Sequence, residues 1–184
     1  MCPVSELIAD LFVSLDGCAA ADDVGPYFGY AGPELDDWIG AELDKPQVVV
    51  FGRVTYELLA TISAATSDPA SQRLTALPKL VFSSTLSPPL EWENTRLVSG
   101  DALIALPTAK SESDVPLRTM GSVSLVGNLM DAGLVDRLRL MVFPLSCGSA
   151  GRERIFERSR LRRLELAETR VLDGRVVLLD YRAS

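Results

Sequence analysis

Short runs of apolar residues alternate along the chain with longer segments whose apolar positions recur every three or four residues. Short runs bounded by glycine, proline or polar turn residues are typical of strands, and the three-to-four-residue repeat is typical of amphipathic helices. The runs predict eight strands, at 4–13, 46–51, 79–84, 95–99, 117–120, 135–144, 161–172 and 175–181.

The segment between the first two strands contains the clearest helix. Pro33 opens it, and proline and acidic residues suit the first turn of a helix of about ten residues. Its apolar residues stand at helical spacing, which indicates a face turned to the core. They are Leu35, Trp38, Ile39 and Leu43.

Three more helices are predicted directly after strands or turns. They begin at Gly52, at Asp101 and after Ser122, and Pro107 is expected to limit the second of them. Residues 18–33 lack periodicity and form a long loop of a kind that often borders a binding site. Residues 64–77 are polar and loop-like, with room for a short helical turn.

The order of these elements predicts the architecture. Strands that alternate with helices indicate βαβ units and a largely parallel sheet. The last two strands are joined by Asp173-Gly174, a pair favoured in tight hairpins, so the sheet should end antiparallel. We therefore expect a three-layer α/β/α fold, with a central sheet of about eight strands, in a single domain spanning residues 1–184.

Composition narrows the classes of function. The net charge is −7, and the first 44 residues hold ten carboxylates and no lysine or arginine, which disfavours a nucleic-acid partner. No apolar run approaches the ~20 residues that span a bilayer, so we expect no membrane partner. The chain has no histidine, which removes the commonest zinc ligand and the usual base of a hydrolase triad, and no metal is expected.

The cysteines and the arginines add two further expectations. Cys2, Cys18 and Cys147 are odd in number and widely spaced, which favours reduced thiols. The first basic residue is Lys45, so the charged segment of a signal peptide is not seen, and we expect a cytoplasmic protein. Six arginines crowd residues 152–163, and a solvated face is the expected interpretation over an anion site.

Two strand-to-helix turns are typical of anion sites. In one, the 117–120 strand meets Gly121-Ser122 and a helix; in the other, Gly52 precedes Arg53 and Thr55. Free N–H groups at a helix start attract a phosphate, and Arg53 adds a positively charged guanidinium group that can donate two hydrogen bonds. A turn of this kind is more often merely a capped helix start, but two of them in one chain favour a function.

Five motifs in order give the chain a family resemblance. They are Ser14-x-Asp16-Gly17, Gly52-Arg53-x-Thr55-x-Glu57, Ser83-Ser84, Gly121-Ser122-x-x-Leu125, and the turn of Pro144, Gly148 and Gly151 before Ile155-Phe156. The pattern resembles the dihydrofolate reductase-like superfamily, above all the reductase domain of the riboflavin-biosynthesis deaminase-reductase and its stand-alone relatives. The Gly148–Gly151 turn has one residue more than the family's usual form, so its loop is expected to differ.

The resemblance implies a cofactor and the residues that bind it. The cofactor is NADPH, with its adenosine and 2′-phosphate end at the helix start after Gly52 and at the two serines, and its diphosphate at the Gly121 turn. The implied cofactor-binding residues are Gly52, Arg53, Thr55, Ser83, Ser84, Gly121, Ser122, Val123, Ser124 and Leu125.

The substrate side is less constrained by the motifs. A hydride acceptor needs a proton, and Asp16 is the first candidate donor, although a turn-forming Asp-Gly explains it equally well. Asp36, Asp37, Tyr27, Tyr30 and ordered water are the other candidates. Asp36 and Trp38 are the predicted substrate-binding residues, and helical spacing favours a core position for Trp38.

The resemblance implies an NADPH-dependent reductase that acts on a small polar or heterocyclic molecule, such as a pteridine or pyrimidine. One alternative is the 5-amino-6-(5-phosphoribosylamino)uracil reductase of riboflavin biosynthesis, whose sugar-phosphate substrate would need basic residues at the cleft. A second is a non-catalytic nucleotide-binding protein. A deaminase is excluded, because no histidine or C-x-x-C pair is present. Long C-terminal strands and the family likeness favour a homodimer.

Overall fold

Strands and helices alternate over most of the chain. The computed structural model describes residues 5–157 and 160–183. The strands are β1 (Leu7–Ser14), β2 (Cys18–Ala21), β3 (Val48–Gly52), β4 (Lys79–Phe82), β5 (Thr95–Val98), β6 (Leu117–Met120), β7 (Arg137–Phe143), β8 (Gly151–Arg154), β9 (Leu164–Leu172) and β10 (Val176–Ala183). The α-helices are α1 (Pro33–Leu43), α2 (Arg53–Ala65), α3 (Pro69–Ala76), α4 (Ala102–Glu112) and α5 (Val123–Asp131). Short 3₁₀ helices lie at Pro26–Gly29 and Gly148–Ala150.

Eight strands form one sheet in the order β5-β4-β3-β6-β1-β7-β10-β9. The strands from β5 to β7 run parallel, and β10 and β9 close the sheet antiparallel. Buried residues of α1, α2 and α3 pack on one face, and those of α4 and α5 pack on the other. The predicted three-layer α/β fold and its final hairpin are thus confirmed.

The parallel pairing brings two turns together. β3 pairs directly with β6, so both strands end at the same edge of the sheet. The turn after β3 leads into α2 and the turn after β6 leads into α5. Ligands of open α/β sheets bind at the carboxyl ends of parallel strands, and this edge is therefore where a site is expected.

Residues 64–77 contain an eight-residue helix where the sequence predicted a loop with room for a short helical turn. The carboxylate of Asp68 accepts hydrogen bonds from the backbone N–H groups of Ala70 and Ser71, and Pro69 stands in the first turn of α3. Leu74 is buried against the sheet. Cap and packing together stabilise α3 although its sequence is largely polar.

Pro107 does not end α4, which continues to Glu112. Pro107 is exposed, so the carbonyl that loses its helical N–H partner can face water. The prediction of a loop over residues 18–33 was wrong at its start. Its first residues form β2, which pairs with β8 in a separate two-stranded ribbon. β8 was not predicted.

The first and last residues of the other strands and helices differ from the predicted ones by a few positions at most. The start of the first predicted strand, residue 4, lies outside the described residues. Asp173 and Gly174 have φ values of 51° and 65°, as a tight hairpin turn with two left-handed residues requires. Within the described residues, no helix is long and apolar enough to cross a membrane.

A buried ionic network joins α1 to the centre of the sheet. The carboxylate of Asp10 on β1 accepts hydrogen bonds from Arg118 Nε on β6 at 2.5 Å and from Arg139 Nε on β7 at 2.7 Å. Glu42 of α1 accepts from Arg139 Nη1 at 2.8 Å, and the ring of Trp38 lies 5.1 Å from Arg139 Cζ. Although burial opposes it, the charges of Asp10 and Glu42 raise the pKa of Arg139.

We predict that Asp10→Asn lowers the free energy of unfolding by about 3–5 kcal/mol, because it leaves two buried arginines to share the single counter-charge of Glu42. Urea unfolding measures the change. The matched control is Asp44→Asn, which removes the exposed partner of Arg73 and should cost about 0.2–1 kcal/mol. An Asp10→Asn protein as stable as the parent would contradict the assigned importance of the network.

β9 forms an exposed edge of the sheet. It pairs with β10 on one side, and most of its residues are exposed, including Leu166 at 52% and Val171 at 60%. An edge strand with apolar side chains offers unpaired backbone groups to another chain.

We predict a homodimer in which β9 of one protomer lies beside β9 of its partner, since a two-fold axis covers both edges at once. Sedimentation at micromolar concentration should give a dimer, and Leu166→Lys should shift it toward monomer. Leu15→Lys, at another exposed leucine, is the control and should leave the dimer intact. A monomeric parent protein refutes this prediction.

Candidate functional site

The turns after β3 and β6 contact each other through one hydroxyl group. Ser122 Oγ accepts a hydrogen bond from the backbone N–H of Gly52 at 3.1 Å and donates one to Thr55 Oγ1 at 2.7 Å. Gly121 has a φ of 75°, and a Cβ built on it would lie 3.7 Å from Thr55 Cγ2. Four of the predicted cofactor residues are thereby brought together at the carboxyl edge of the sheet.

The N-termini of the five α-helices fall into two classes. Carboxylates cap three of them: Asp173 accepts from the first turn of α1, Asp68 from α3 and Asp101 from α4. In the described part of the chain no side chain caps α2 or α5. The two helix starts that meet at the candidate site therefore keep N–H groups for an external acceptor, as an anion site requires.

Arg53 stands in the first turn of α2 and is half-exposed. Its Nη1 lies 2.7 Å from Glu57 Oε2, and the two side chains are 45% and 47% exposed. An exposed ion pair of this kind contributes about 0.2–1 kcal/mol, so a phosphate can displace Glu57 at little cost. Arg53 can thus serve as the cationic ligand of the site.

The two serines after β4 differ in their surroundings. Ser83 is buried, and its Oγ accepts hydrogen bonds from the N–H groups of Thr85 and Leu86, both at 3.1 Å. Its hydroxyl therefore shapes the turn, which opposes the prediction of a direct cofactor contact. Ser84 is exposed at the same sheet edge and keeps that prediction.

The first turn of α5 offers mainly backbone N–H groups to a ligand at the candidate site. Val123 and Leu125 are half-buried and pack against the core, whereas Ser124 is exposed. The predicted role of these three residues therefore rests on their N–H groups, together with the Ser124 hydroxyl. That arrangement is what a diphosphate needs at a helix start.

Asp16 anchors a neighbouring loop. Its carboxylate accepts from Ser14 Oγ at 2.7 Å and from the N–H groups of Cys147 and Gly148 at 3.0 and 2.8 Å. The Cys147 N–H and these other donors hold the pKa of Asp16 well below its usual range. An ionised carboxylate that already accepts three hydrogen bonds is a poor proton donor, which favours the structural interpretation of Asp16.

The loop held by Asp16 ends at Gly151, where the surrounding atoms leave little space for a side chain. A Cβ on Gly151 would collide with Cys18 Sγ and lie 3.2 Å from Cys147 Cβ, so only glycine fits. The residues between Gly148 and Gly151 form a 3₁₀ turn. Both described cysteines are free thiols.

The structure separates the two predicted substrate-binding residues. Asp36 is exposed on α1, whereas Trp38 is 7% exposed and packs in the core above the buried arginines. Its burial opposes a substrate contact for Trp38 and agrees with the core position indicated by helical spacing. Asp37, a further candidate proton donor, is also exposed.

The two tyrosines of the 18–33 segment lie beside an aromatic cluster. The Tyr27 ring is 5.4 Å from that of Phe12, and the Tyr30 hydroxyl donates to the carbonyl of Pro144 at 3.3 Å. Burial and the charges of Asp36 and Asp68 raise the pKa of Tyr27, so its hydroxyl keeps a proton at neutral pH.

The arginine-rich segment has structural partners in the described residues. Arg152 pairs with Asp22, and Arg154 Nη2 donates to the carbonyl of Gly148 at 2.9 Å. The backbone N–H of Arg160 donates to Asp131 at the end of α5. Arg158 lies outside the described residues. The described parts of the segment thus contact the loop held by Asp16 and the C-terminal end of α5, which is the end away from the candidate site.

Sequence reasoning missed the charged groups that support the site. The signals were charged residues inside largely apolar strands, namely Asp10, Arg118 and Arg139. The capping of α1 by Asp173 was also missed, because it joins residues about 140 positions apart. Among the described residues, no group of three or more His, Cys, Asp or Glu side chains could hold a metal ion.

Comparison with known proteins identifies the family to which this chain is similar. A family model described as the RibD C-terminal domain matches residues 5–178. No curated protein sequence matches the chain significantly.

Solved structures with the same fold include three informative ones. A protein from Shewanella sp. PV-4 that is assigned to riboflavin biosynthesis is 19% identical with a TM-score of 0.69, covering 97% of this chain and 99% of that one. Dihydrofolate reductase from Enterococcus faecalis, complexed with NADP(H) and RAB-propyl, is 14% identical with a TM-score of 0.66, at 97% and 96% coverage.

The third is a Thermotoga maritima diaminohydroxyphosphoribosylaminopyrimidine deaminase/5-amino-6-(5-phosphoribosylamino)uracil reductase, 12% identical with a TM-score of 0.67. It is matched over 98% of this chain but over only 57% of its own length. At these identities the three structures establish the fold.

We predict that Asp16→Asn lowers the melting temperature and reduces turnover by less than ~10-fold, short of the ~100-fold that loss of a general acid would cause. An asparagine NH₂ would face backbone N–H groups, so loop anchoring suffers. Thermal unfolding and steady-state rates measure both effects. Asp23→Asn, at an exposed aspartate with a φ of 59°, is the control. A stable Asp16→Asn protein with turnover ~100-fold lower would restore the acid role.

Proposed function

Because the chain belongs to the RibD C-terminal domain family, we propose that it is a reductase that uses NADPH to reduce a small polar or heterocyclic molecule. The acceptor class is a pteridine- or pyrimidine-like ring. The observation that carries this proposal concerns the described residues: the starts of α2 and α5 carry no side-chain cap there and meet at one sheet edge, whereas carboxylates cap the other three α-helices.

The residues present fit a phosphorylated dinucleotide. N–H groups at the start of α5 suit the diphosphate, and Arg53, with Thr55 and Ser84, suits the 2′-phosphate. NADPH would supply the hydride when bound. The chain itself would bind and orient the two reactants and exclude water, which are the protein's contributions in cofactor-dependent reductases.

The proton for the reduced substrate needs a source other than Asp16. Asp16 is held as a carboxylate by its three donors. Tyr27 has a phenolic proton to donate, and its ring lies 5.4 Å from that of Phe12, near the end of β1. We propose Tyr27 or ordered water as the source of this proton.

The 5-amino-6-(5-phosphoribosylamino)uracil alternative receives less support from the arginine-rich segment. A sugar phosphate needs cationic side chains that can turn toward it. In the described residues, Arg152 is paired with Asp22 and the Arg154 guanidinium donates to two backbone carbonyls. These two arginines are engaged in holding the β2–β8 ribbon.

Cofactor titration followed by turnover assays tests the proposal. Fluorescence titration with NADPH, NADH and FMN should show binding of NADPH, and NADPH oxidation should follow with one of a panel of pteridines, pyrimidines and quinones. Binding of NADPH without oxidation by any of these acceptors would favour the non-catalytic nucleotide-binding alternative. Binding of FMN alone would overturn the assigned cofactor.

We predict that NADPH binds about 10- to 100-fold more tightly than NADH, because a charged hydrogen bond to phosphate contributes about 1.5–3 kcal/mol. Arg53→Ala should remove most of this preference, because Arg53 is the cationic ligand and Thr55 and Ser84 offer neutral donors. Glu57→Gln should strengthen NADPH binding, since it removes the carboxylate that competes for Arg53.

The control for these variants is Arg182→Ala, which removes an exposed arginine on β10 beside the start of β7, at the sheet edge opposite the turn after β3. Its affinity for both cofactors should equal that of the parent protein. Equal affinity of the parent protein for NADPH and NADH would sink the assignment of Arg53.

A further inference from the structure

Ser122 uses its hydroxyl group entirely within the protein. The oxygen accepts the N–H of Gly52, and the single proton is donated to Thr55 Oγ1 at 2.7 Å. A hydroxyl has one proton to give, so Ser122 has none left for a ligand. Its side chain therefore cannot act as a hydrogen-bond donor to a cofactor while these contacts last.

The same contact sets the direction of the Thr55 hydroxyl. Because Thr55 Oγ1 receives the proton of Ser122, its own proton must point elsewhere. Thr61, two turns further along α2, donates to the carbonyl of Glu57 at 2.8 Å. Thr55 makes no comparable bond within the described chain, so its proton remains available at the uncapped start of α2.

The backbone at Ser122 is consistent with a residue held by its side chain. Ser122 has φ 60° and ψ 60°, a left-handed conformation that side-chain-bearing residues rarely adopt. Such conformations persist where surrounding contacts determine them, and they cluster at functional sites. Here the determining contacts are the two hydrogen bonds to the first turn of α2 and its preceding glycine.

We propose that Ser122 is a positioning residue that acts through Thr55: it turns the Thr55 hydroxyl outward as a donor to a phosphate oxygen of a dinucleotide. The inference rests on the proposed function. It divides the predicted cofactor residues into Thr55, which contacts the phosphate, and Ser122, which orients Thr55.

A double-mutant cycle on NADP⁺ affinity tests this division. Ser122→Gly removes the hydroxyl and keeps the left-handed conformation, and Thr55→Val removes the other hydroxyl at nearly constant shape. Titration calorimetry with NADP⁺ should show a loss of about tenfold for each single variant. The double variant should bind no more weakly than Thr55→Val alone, because Ser122 acts only through Thr55.

Two matched variants separate positioning from general damage to the fold. Thr55→Ser keeps the hydroxyl and should restore affinity to within about twofold of the parent protein. In an Arg53→Ala background the full loss from Ser122→Gly should persist, since Arg53 contacts Glu57 and not Ser122. Melting temperatures of all variants, measured without ligand, confirm that each is folded at the titration temperature.

Losses that add fully in the Ser122→Gly/Thr55→Val protein overturn the inference, and so does an unchanged affinity for Ser122→Gly. Either result leaves the proposed function standing, because the parent protein still binds NADP⁺. A parent protein that binds neither NADP⁺ nor NADPH overturns the proposed function itself, and the inference with it.

Discussion

One carboxylate shared by two buried arginines holds the centre of this molecule together. Asp10 lies on the strand between those of Arg118 and Arg139, and all three residues are at most 5% exposed. A shift of β1 by one residue would turn Asp10 to the other face of the sheet and leave both arginines with Glu42 as their shared counter-charge. Because a buried charge that loses its partner is so unfavourable, the network permits only one register of β1. Glu42 and Trp38 contact the same arginines and thereby fix the position of α1.

The candidate site depends on the same strands. The backbone carbonyl of Asp10 accepts the N–H of Gly121 at 3.0 Å, so the strand that carries the shared carboxylate also fixes the turn before α5. The first turn of α2 reaches that turn through Ser122. Charge pairing in the middle of the sheet and the candidate anion site at its edge are therefore consecutive parts of one framework.

Much of this fold and part of its site could be predicted from local patterns. Strand and helix types follow from apolar periodicity, and the turns at Gly52 and Gly121 follow from glycine at a strand exit. Ser83 and Trp38 were harder to assign. Their residue types suit either a ligand contact or an internal one, and only the neighbours supplied by distant parts of the chain distinguish the two.

The order of short motifs and apolar runs was enough to predict the fold class, its antiparallel end and the place of the candidate anion-binding turns, because each motif or run consists of residues close in sequence. Tertiary structure alone decided which helix starts stay uncapped, that Asp16 anchors a loop as a carboxylate, and that Ser122 orients Thr55. Each of these depends on hydrogen bonds between residues from 67 to 139 positions apart. No local pattern encodes such a contact, since its geometry exists only once the sheet has formed.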